Sequence, residues 1–406
     1  MLSISHRGQT MPPSPIRKLV PYAEIAKRRG IKIYHLNIGQ PDIETPSVIL
    51  DAVRNTNFKV LEYSHSAGNE RYRKKLVHYY EQQNIHINHN QIIITVGGSE
   101  AILFAFMACL DVGDEIIIPE PFYANYNGFA IEAGVTIVPI TAHIENGFAL
   151  PPISAFEEKI TAKTKAIVIC NPNNPTGYLY SRAEMEVLRD ICLKYNLFLF
   201  SDEAYREFCY SGKHFSAMEL SGADDFVILM DTISKRYSAC GARLGAFITK
   251  NAIVLDAAIK FAQARLSPPS FAQIAGEAAI DLPSNYFESV KAEYIQRRNV
   301  LVKRLNSISG VFCPEPGGAF YVMAKLPVDD ADHFCQWLLE FFSWNNQTVM
   351  IAPASGFYST IGLGKNEVRL AYVLNMNEIN AAMDCLEKAL EEYKKSQYLL
   401  ASKNSL

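Results

Sequence analysis

The feature that most constrains this chain is a unit that recurs through its middle: a short apolar run, a polar or glycine-rich break, then a helical pattern. "QIIITV" leads into Gly97, Gly98 and Ser99, "DEIII" into "PEPFYANY", "KAIVIC" into "NPNNPTG", "LFLFS" into "DEAYREF" and "FVILM" into "DTISK". Apolar runs without strict alternation fit strands buried on both faces, as in a parallel sheet. Strands alternating with helices need right-handed crossovers, which makes the expected fold α/β: a mostly parallel central sheet flanked by helices. In open sheets of this kind ligands bind beyond the carboxyl ends of the strands. Polar residues stand at those ends five times over, so a pocket is expected there.

With 406 residues the chain exceeds what one hydrophobic core usually serves, and two interleaved domains are expected. Beyond residue 290 the pattern changes. "YIQRRNVLVKRL" reads as a long helix with apolar residues at helical spacing. "GGAFYVMAKL", "TVMIAP" and "NEVRLAYV" read as strands of a second, smaller sheet, with "ADHFCQWLLEFF" as a helix between them, and the early segment "IYHLNIGQPD" is expected to join this part. The expected division is an amino-terminal arm over 1–20, a small α+β domain from 21–48 and 291–406, and a large domain over 49–290. Pro12, Pro13, Pro15 and Pro21 argue against a regular helix in the arm, and either Met1 or Met11 could be the start.

A formal net charge of −3 offers no electrostatic footprint for nucleic acid or an anionic membrane. The longest fully apolar stretch, Ala101 to Leu110, is too short to span a bilayer, and the first residues lack the apolar core of a signal peptide. The eight cysteines form no CxxC pair; they are expected to be reduced core residues of a cytoplasmic protein. No metal site is expected.

Four breaks carry chemistry. In "TVGGSEAILFAF" the glycines let the backbone approach an anion, and the free N–H groups of a helix start point at it. Ser99 could cap that helix, so the same residues also fit a tight strand-to-helix turn. "CNPNNPTG" forces a rigid irregular loop that aims Asn174, or else a turn-rich connector. In "LFLFSDEAY" the carboxylate of Asp202 just past an apolar strand calls for a cation, such as a protonated heterocyclic nitrogen, with Tyr205 one turn on; a helix start with acidic first-turn residues fits equally. In "DTISKRYSACGARLG" Lys235 follows the next strand. It is either a solvated loop lysine or an amine that opens into the same pocket and can form a Schiff base.

Taken together, "NPNNPTG", "SDEAY" and the pattern SKxxxxxGxRxG, in this order and with "SPIRKLVPYA", "NIGQPD" and "VRLAY" around them, resemble the class I/II aminotransferases, pyridoxal-phosphate enzymes of fold type I of the aspartate aminotransferase kind. The resemblance spans nearly the whole chain. It implies that Lys235 forms the Schiff base with pyridoxal 5'-phosphate and shuttles a proton through a quinonoid intermediate. Asp202 would face the pyridine nitrogen, and Tyr205 with Asn174 the ring hydroxyl. Gly98, Ser99, Glu100 through its backbone, Thr232 and Arg243 would hold the phosphate, with Tyr63 reaching the phosphate of a neighbouring subunit. Tyr123 would stack on the ring. Arg369 would grip the α-carboxylate, with Gly39 beside it; read locally, Arg369 fits an edge-strand cation as well.

The chain departs from many relatives in carrying Gly241-Ala242-Arg243 where they have Gly-Trp-Arg. A distal substrate carboxylate has Arg265 as its candidate partner, reaching across a dimer; that arginine also suits the end of a helix. The expected activity moves an amino group from an L-amino acid, aspartate first, to 2-oxoglutarate in a homodimer with shared sites. The alternatives are an aromatic amino acid aminotransferase, a pyridoxal-phosphate β-lyase, and a non-catalytic regulator.

Overall fold

The computed structural model describes residues 2–283 and 285–403. Its centre is a seven-stranded sheet built from β2 (Ile92–Thr95), β3 (Glu115–Glu120), β4 (Thr136–Thr141), β5 (Thr164–Cys170), β6 (Phe198–Asp202), β7 (Val227–Thr232) and β8 (Gly245–Ile248). The order across the sheet is β2-β8-β7-β6-β5-β3-β4, and only β8 runs against its neighbours. The apolar runs form these strands because both faces are covered. Ile167, Leu199 and Leu229 pack into one layer, Val168, Phe200 and Ile228 into the other. Truncating one such side chain to alanine costs about 2–5 kcal/mol.

The covering helices start and stop on local signals. Ser181 caps the helix Arg182–Tyr195 in a reciprocal box with Glu184, and Asn196 ends it in the left-handed region. All of "AILFAFMACL" but its last residue lies in the helix Gly97–Cys109, pressed against the sheet and against the helix Ala252–Arg265. Among the described residues no helix is long and apolar enough to cross a membrane.

The two chain ends share a second core. Leu19, Ala23, Tyr34 and Leu36 pack with residues from Tyr294 to Tyr393, and Cys170 at the end of β5 joins the same cluster with Tyr205 and Phe208 from the segment after β6. The expected single small sheet is in fact two. β9 (Tyr321–Lys325), β11 (Ala352–Pro353) and β12 (Glu367–Ala371) form an antiparallel trio in the order β11-β12-β9, while β1 (Lys32–His35) pairs in parallel with β10 (Gln347–Met350). Ile351 separates the stretch "TVMIAP" into these two strands. The helix Ala331–Glu340 packs against β10, and the long helix Asn285–Ser307 against the last helix.

The arm differs from expectation too. His6–Thr10 forms a short helix ahead of the prolines and packs on the helix Asn125–Ala133, and Pro21 sits in the first turn of Val20–Arg28, where a missing N–H costs nothing.

Candidate active site

Asp202 ends β6 and is 8% exposed. Tyr126 donates to one carboxylate oxygen at 2.9 Å and the Ala204 N–H to the other at 3.1 Å. The chain continues as a turn and not as a helix, so the helix-start reading of this segment does not hold. Burial dominates the electrostatics and pushes the carboxyl up to about 6, with Asp231 and Glu203 adding like charge. No ion pair reaches Asp202 from the described residues, so the site favours a cationic ligand group there.

Asn174, Tyr205 and Arg369 meet where the strand ends face the antiparallel trio. Arg369 Nη1 donates to Asn174 Oδ1 at 3.0 Å and Nη2 to the Asn37 carbonyl at 2.6 Å. The guanidinium is sandwiched between the Tyr321 ring (4.5 Å) and the Phe357 ring (4.8 Å). It is 1% exposed and lies on β12, the middle strand of the trio, which excludes the edge-strand reading. Its Nε is buried without a hydrogen-bond partner, and burial lowers its pKa. A carboxylate ligand would relieve both.

The helix start at Gly97 forms the third wall. Gly97 has φ +74°, and a Cβ there would stand 2.4 Å from Arg243 Nη2, so glycine alone lets this guanidinium lie against the turn. A Cβ on Gly98 would touch Thr232 at 3.7 Å. Ser99 does not cap the helix as expected: the cap position is Val96, whose N–H is taken by Glu100 Oε2 at 2.8 Å. Thr232 caps Ile233–Arg236, its hydroxyl accepting from Ser234 N–H at 3.2 Å. Half-buried Lys235 donates from Nζ to the Gly39 carbonyl at 2.9 Å and stands 3.8 Å from Cys240 Sγ. Tyr123, half-buried, meets Tyr126 edge-on, and burial pushes its phenol up to about 12.

Two candidates stand apart within the single chain. Arg265 ends its helix, yet its guanidinium serves other elements: Nη2 donates to the carbonyls of Ile94 (3.0 Å) and Ser66 (3.4 Å). Its Nε lies 3.4 Å from Glu100 Oε1, an ion pair without a directed hydrogen bond. Tyr63 is 79% exposed on its own chain's surface.

The family model for "Aminotransferase class I and II" matches residues 31–386. This chain belongs to that family. It is 33% identical over 366 residues to an aspartate aminotransferase of Pyrococcus horikoshii, covering 88% of this chain and 91% of that one. It is 31% identical over 403 residues to aromatic-amino-acid aminotransferase 2 of Thermococcus litoralis, covering 97% and 100%. The crystal structure of an aspartate aminotransferase from Thermotoga maritima superposes with a TM-score of 0.87 at 29% identity, over 96% of this chain and 100% of that one.

As an aminotransferase of this family the protein works on pyridoxal phosphate, and its residues fit that group. The amine of Lys235 suits an aldehyde. The unpaired Asp202 suits a protonated ring nitrogen, and the glycine turn with Arg243 suits a phosphate. Sequence reasoning passed over two residues. Tyr126 holds Asp202, and its signal was the repeat of tyrosine three positions after Tyr123 in "FYANY". Tyr321 lies under Arg369 with its hydroxyl 2.9 Å from that of Tyr205. Its signal was weaker: Tyr321 and Arg369 fall diagonally on one face of the paired strands β9 and β12.

Proposed function

We propose that this aminotransferase moves an amino group from L-aspartate to 2-oxoglutarate, in the cytoplasm, as a homodimer whose two sites are shared. The observation that carries the reading is the juxtaposition of a half-buried lysine amine, a buried carboxylate without a cation and a buried guanidinium without an anion. Aspartate as donor is supported by the aspartate aminotransferases among the relatives, in Pyrococcus horikoshii and Bacillus subtilis. The aromatic relative of Thermococcus litoralis makes aromatic amino acids the second candidate donors.

Bound pyridoxal phosphate supplies an electron-withdrawing ring that takes up the electron pair left when the substrate's Cα loses its proton. Lys235 would hold the group through Nζ, and its amine would serve as the base that takes the Cα proton and the acid that returns it. Asp202 keeps the ring nitrogen protonated, with Tyr126 holding the carboxylate in place. Asn174 and Tyr205 would hold the ring hydroxyl, and Tyr123 would supply an aromatic face for the ring. Gly98, Ser99 and Glu100 offer backbone N–H groups to the phosphate, joined by Thr232, Arg243 and Tyr63 of the partner subunit. Arg369 binds the α-carboxylate through two parallel hydrogen bonds, which a lysine cannot make, and Gly39 lies beside that carboxylate.

The protein loaded with pyridoxal phosphate is expected to show the near-visible band of a lysine-linked cofactor, and Lys235→Ala to lose both band and turnover. Full turnover in the variant, or no band in the unsubstituted protein, refutes the assignment. A panel of amino donors with 2-oxoglutarate decides between aspartate and aromatic donors. Pyruvate released from a cysteine-type donor without a keto acid would point instead to a β-lyase. In the same panel, Arg265→Ala is expected to lose activity with aspartate more than with phenylalanine if Arg265 reads a distal carboxylate; equal losses would exclude that role.

A further inference from the structure

Three polar groups in the site fix one another's hydrogens. Arg369 carries donors only, so the Asn174 atom that faces it at 3.0 Å is the amide oxygen. Asn174 Nδ2 therefore faces Tyr205, donating to its hydroxyl at 3.4 Å. The Tyr205 oxygen has two acceptor positions and one hydrogen. Asn174 fills one position, and Tyr321, at 2.9 Å, is the other neighbour.

Which of the two phenols donates follows from what lies over each ring. The Arg369 guanidinium sits 4.5 Å from the centroid of Tyr321, and a cation on a ring face draws electron density from the phenol and makes it the better donor. Tyr205 has instead the neutral rings of Phe320 and Tyr321 against it. Tyr321 is 2% exposed on β9 and reaches Tyr205 only across Gly39, where a Cβ would stand 1.7 Å from its hydroxyl. The glycine whose carbonyl accepts from Lys235 thus clears the way for a tyrosine from the other end of the chain.

We propose that Tyr321 is a positioning residue: by donating to Tyr205 it completes that oxygen's acceptor positions and leaves the Tyr205 hydrogen directed at the ring hydroxyl oxygen of pyridoxal phosphate. This rests on the aminotransferase reading above. A donor at that oxygen stabilises the form of the lysine-linked cofactor that has lost its proton, so weakening the donor raises the pH at which the near-visible band titrates.

The experiment is a spectrophotometric pH titration of the loaded protein and of Tyr321→Phe, Tyr205→Phe and the double variant. Phenylalanine keeps the ring beneath Arg369 and removes only the hydroxyl. Tyr321→Phe is expected to raise the midpoint by about half a pH unit, roughly threefold in proton affinity, and to have no further effect when Tyr205 is already phenylalanine. An unchanged midpoint in Tyr321→Phe overturns the proposal. A lowered midpoint does so too, because it would mean Tyr205 had been donating to Tyr321. An equal rise in the Tyr205→Phe background overturns it as well. Each of these results leaves the aminotransferase reading standing; the absence of any band in the unsubstituted protein would sink that reading instead.

Discussion

Asp202 and Arg369 are a buried acid and a buried base that face ligand space without pairing with each other, and each carries a measurable penalty. For Asp202 the sign is set by its raised pKa. Its contribution to stability is fully present below the ordinary carboxylate value and is lost as pH rises through about 6. Urea denaturation of the cofactor-free protein should therefore show it gaining on Asp202→Asn as the pH falls from about 7 to 4, by at most about 3 kcal/mol. The opposite trend would mean that the carboxylate is paired in solution. For Arg369 the flat guanidinium is held between two rings and two acceptors, a geometry that an ammonium cannot reproduce. Arg369→Lys is expected to raise KM for the amino acid about 10- to 100-fold, with cofactor binding unchanged by equilibrium dialysis, since charged hydrogen bonds contribute roughly 1.5–3 kcal/mol.

At the scale of elements, the strand-to-helix turn at Gly97 offers a controlled comparison. Gly97 and Gly222 have nearly the same positive φ, +74° and +73°, but a Cβ at Gly222 meets open space whereas one at Gly97 meets Arg243. Alanine at either position is expected to cost about 1–2 kcal/mol in chemical denaturation. Only Gly97→Ala should also weaken binding of pyridoxal phosphate, by about tenfold, because Arg243 must move away. The central strands, with the polar residues at their ends, were legible in the sequence because strands buried on both faces read as continuous apolar runs. The split of "TVMIAP" between two sheets was not, since one residue decides it and sequence alone does not say which backbone lies alongside. Nor was the bond that Glu100 accepts from the Val96 N–H at the head of its own helix, which depends on how that side chain folds back. Nor was Tyr321, whose meaning comes from partners distant in the chain, Tyr205 at its hydroxyl and Arg369 over its ring.

For the whole molecule, we propose the division into an arm over 1–20, a small domain from 21–48 with 291–406, and a large domain over 49–290. The exposure of Tyr63, with Phe58, Val60 and Leu61 beside it, leaves an apolar stretch of chain at the surface. If this stretch meets a second copy, two crippled variants should rescue each other. Mixing Tyr63→Ala with Lys235→Ala under exchange conditions is expected to restore turnover at limiting cofactor toward one intact site per mixed dimer. No recovery on mixing, with exchange verified, would place each site within one chain. The proposed carboxylate grip also joins distant parts of the chain: Arg369 is held by the backbone of Asn37, 332 positions earlier, and by Asn174 between them. During synthesis, therefore, this junction of Asn37, Asn174 and Arg369 does not exist until nearly the entire polypeptide has been made, and on the proposed reading a product terminated early, even one that keeps the complete central sheet and Lys235, is expected to emerge from the ribosome unable to hold an amino acid.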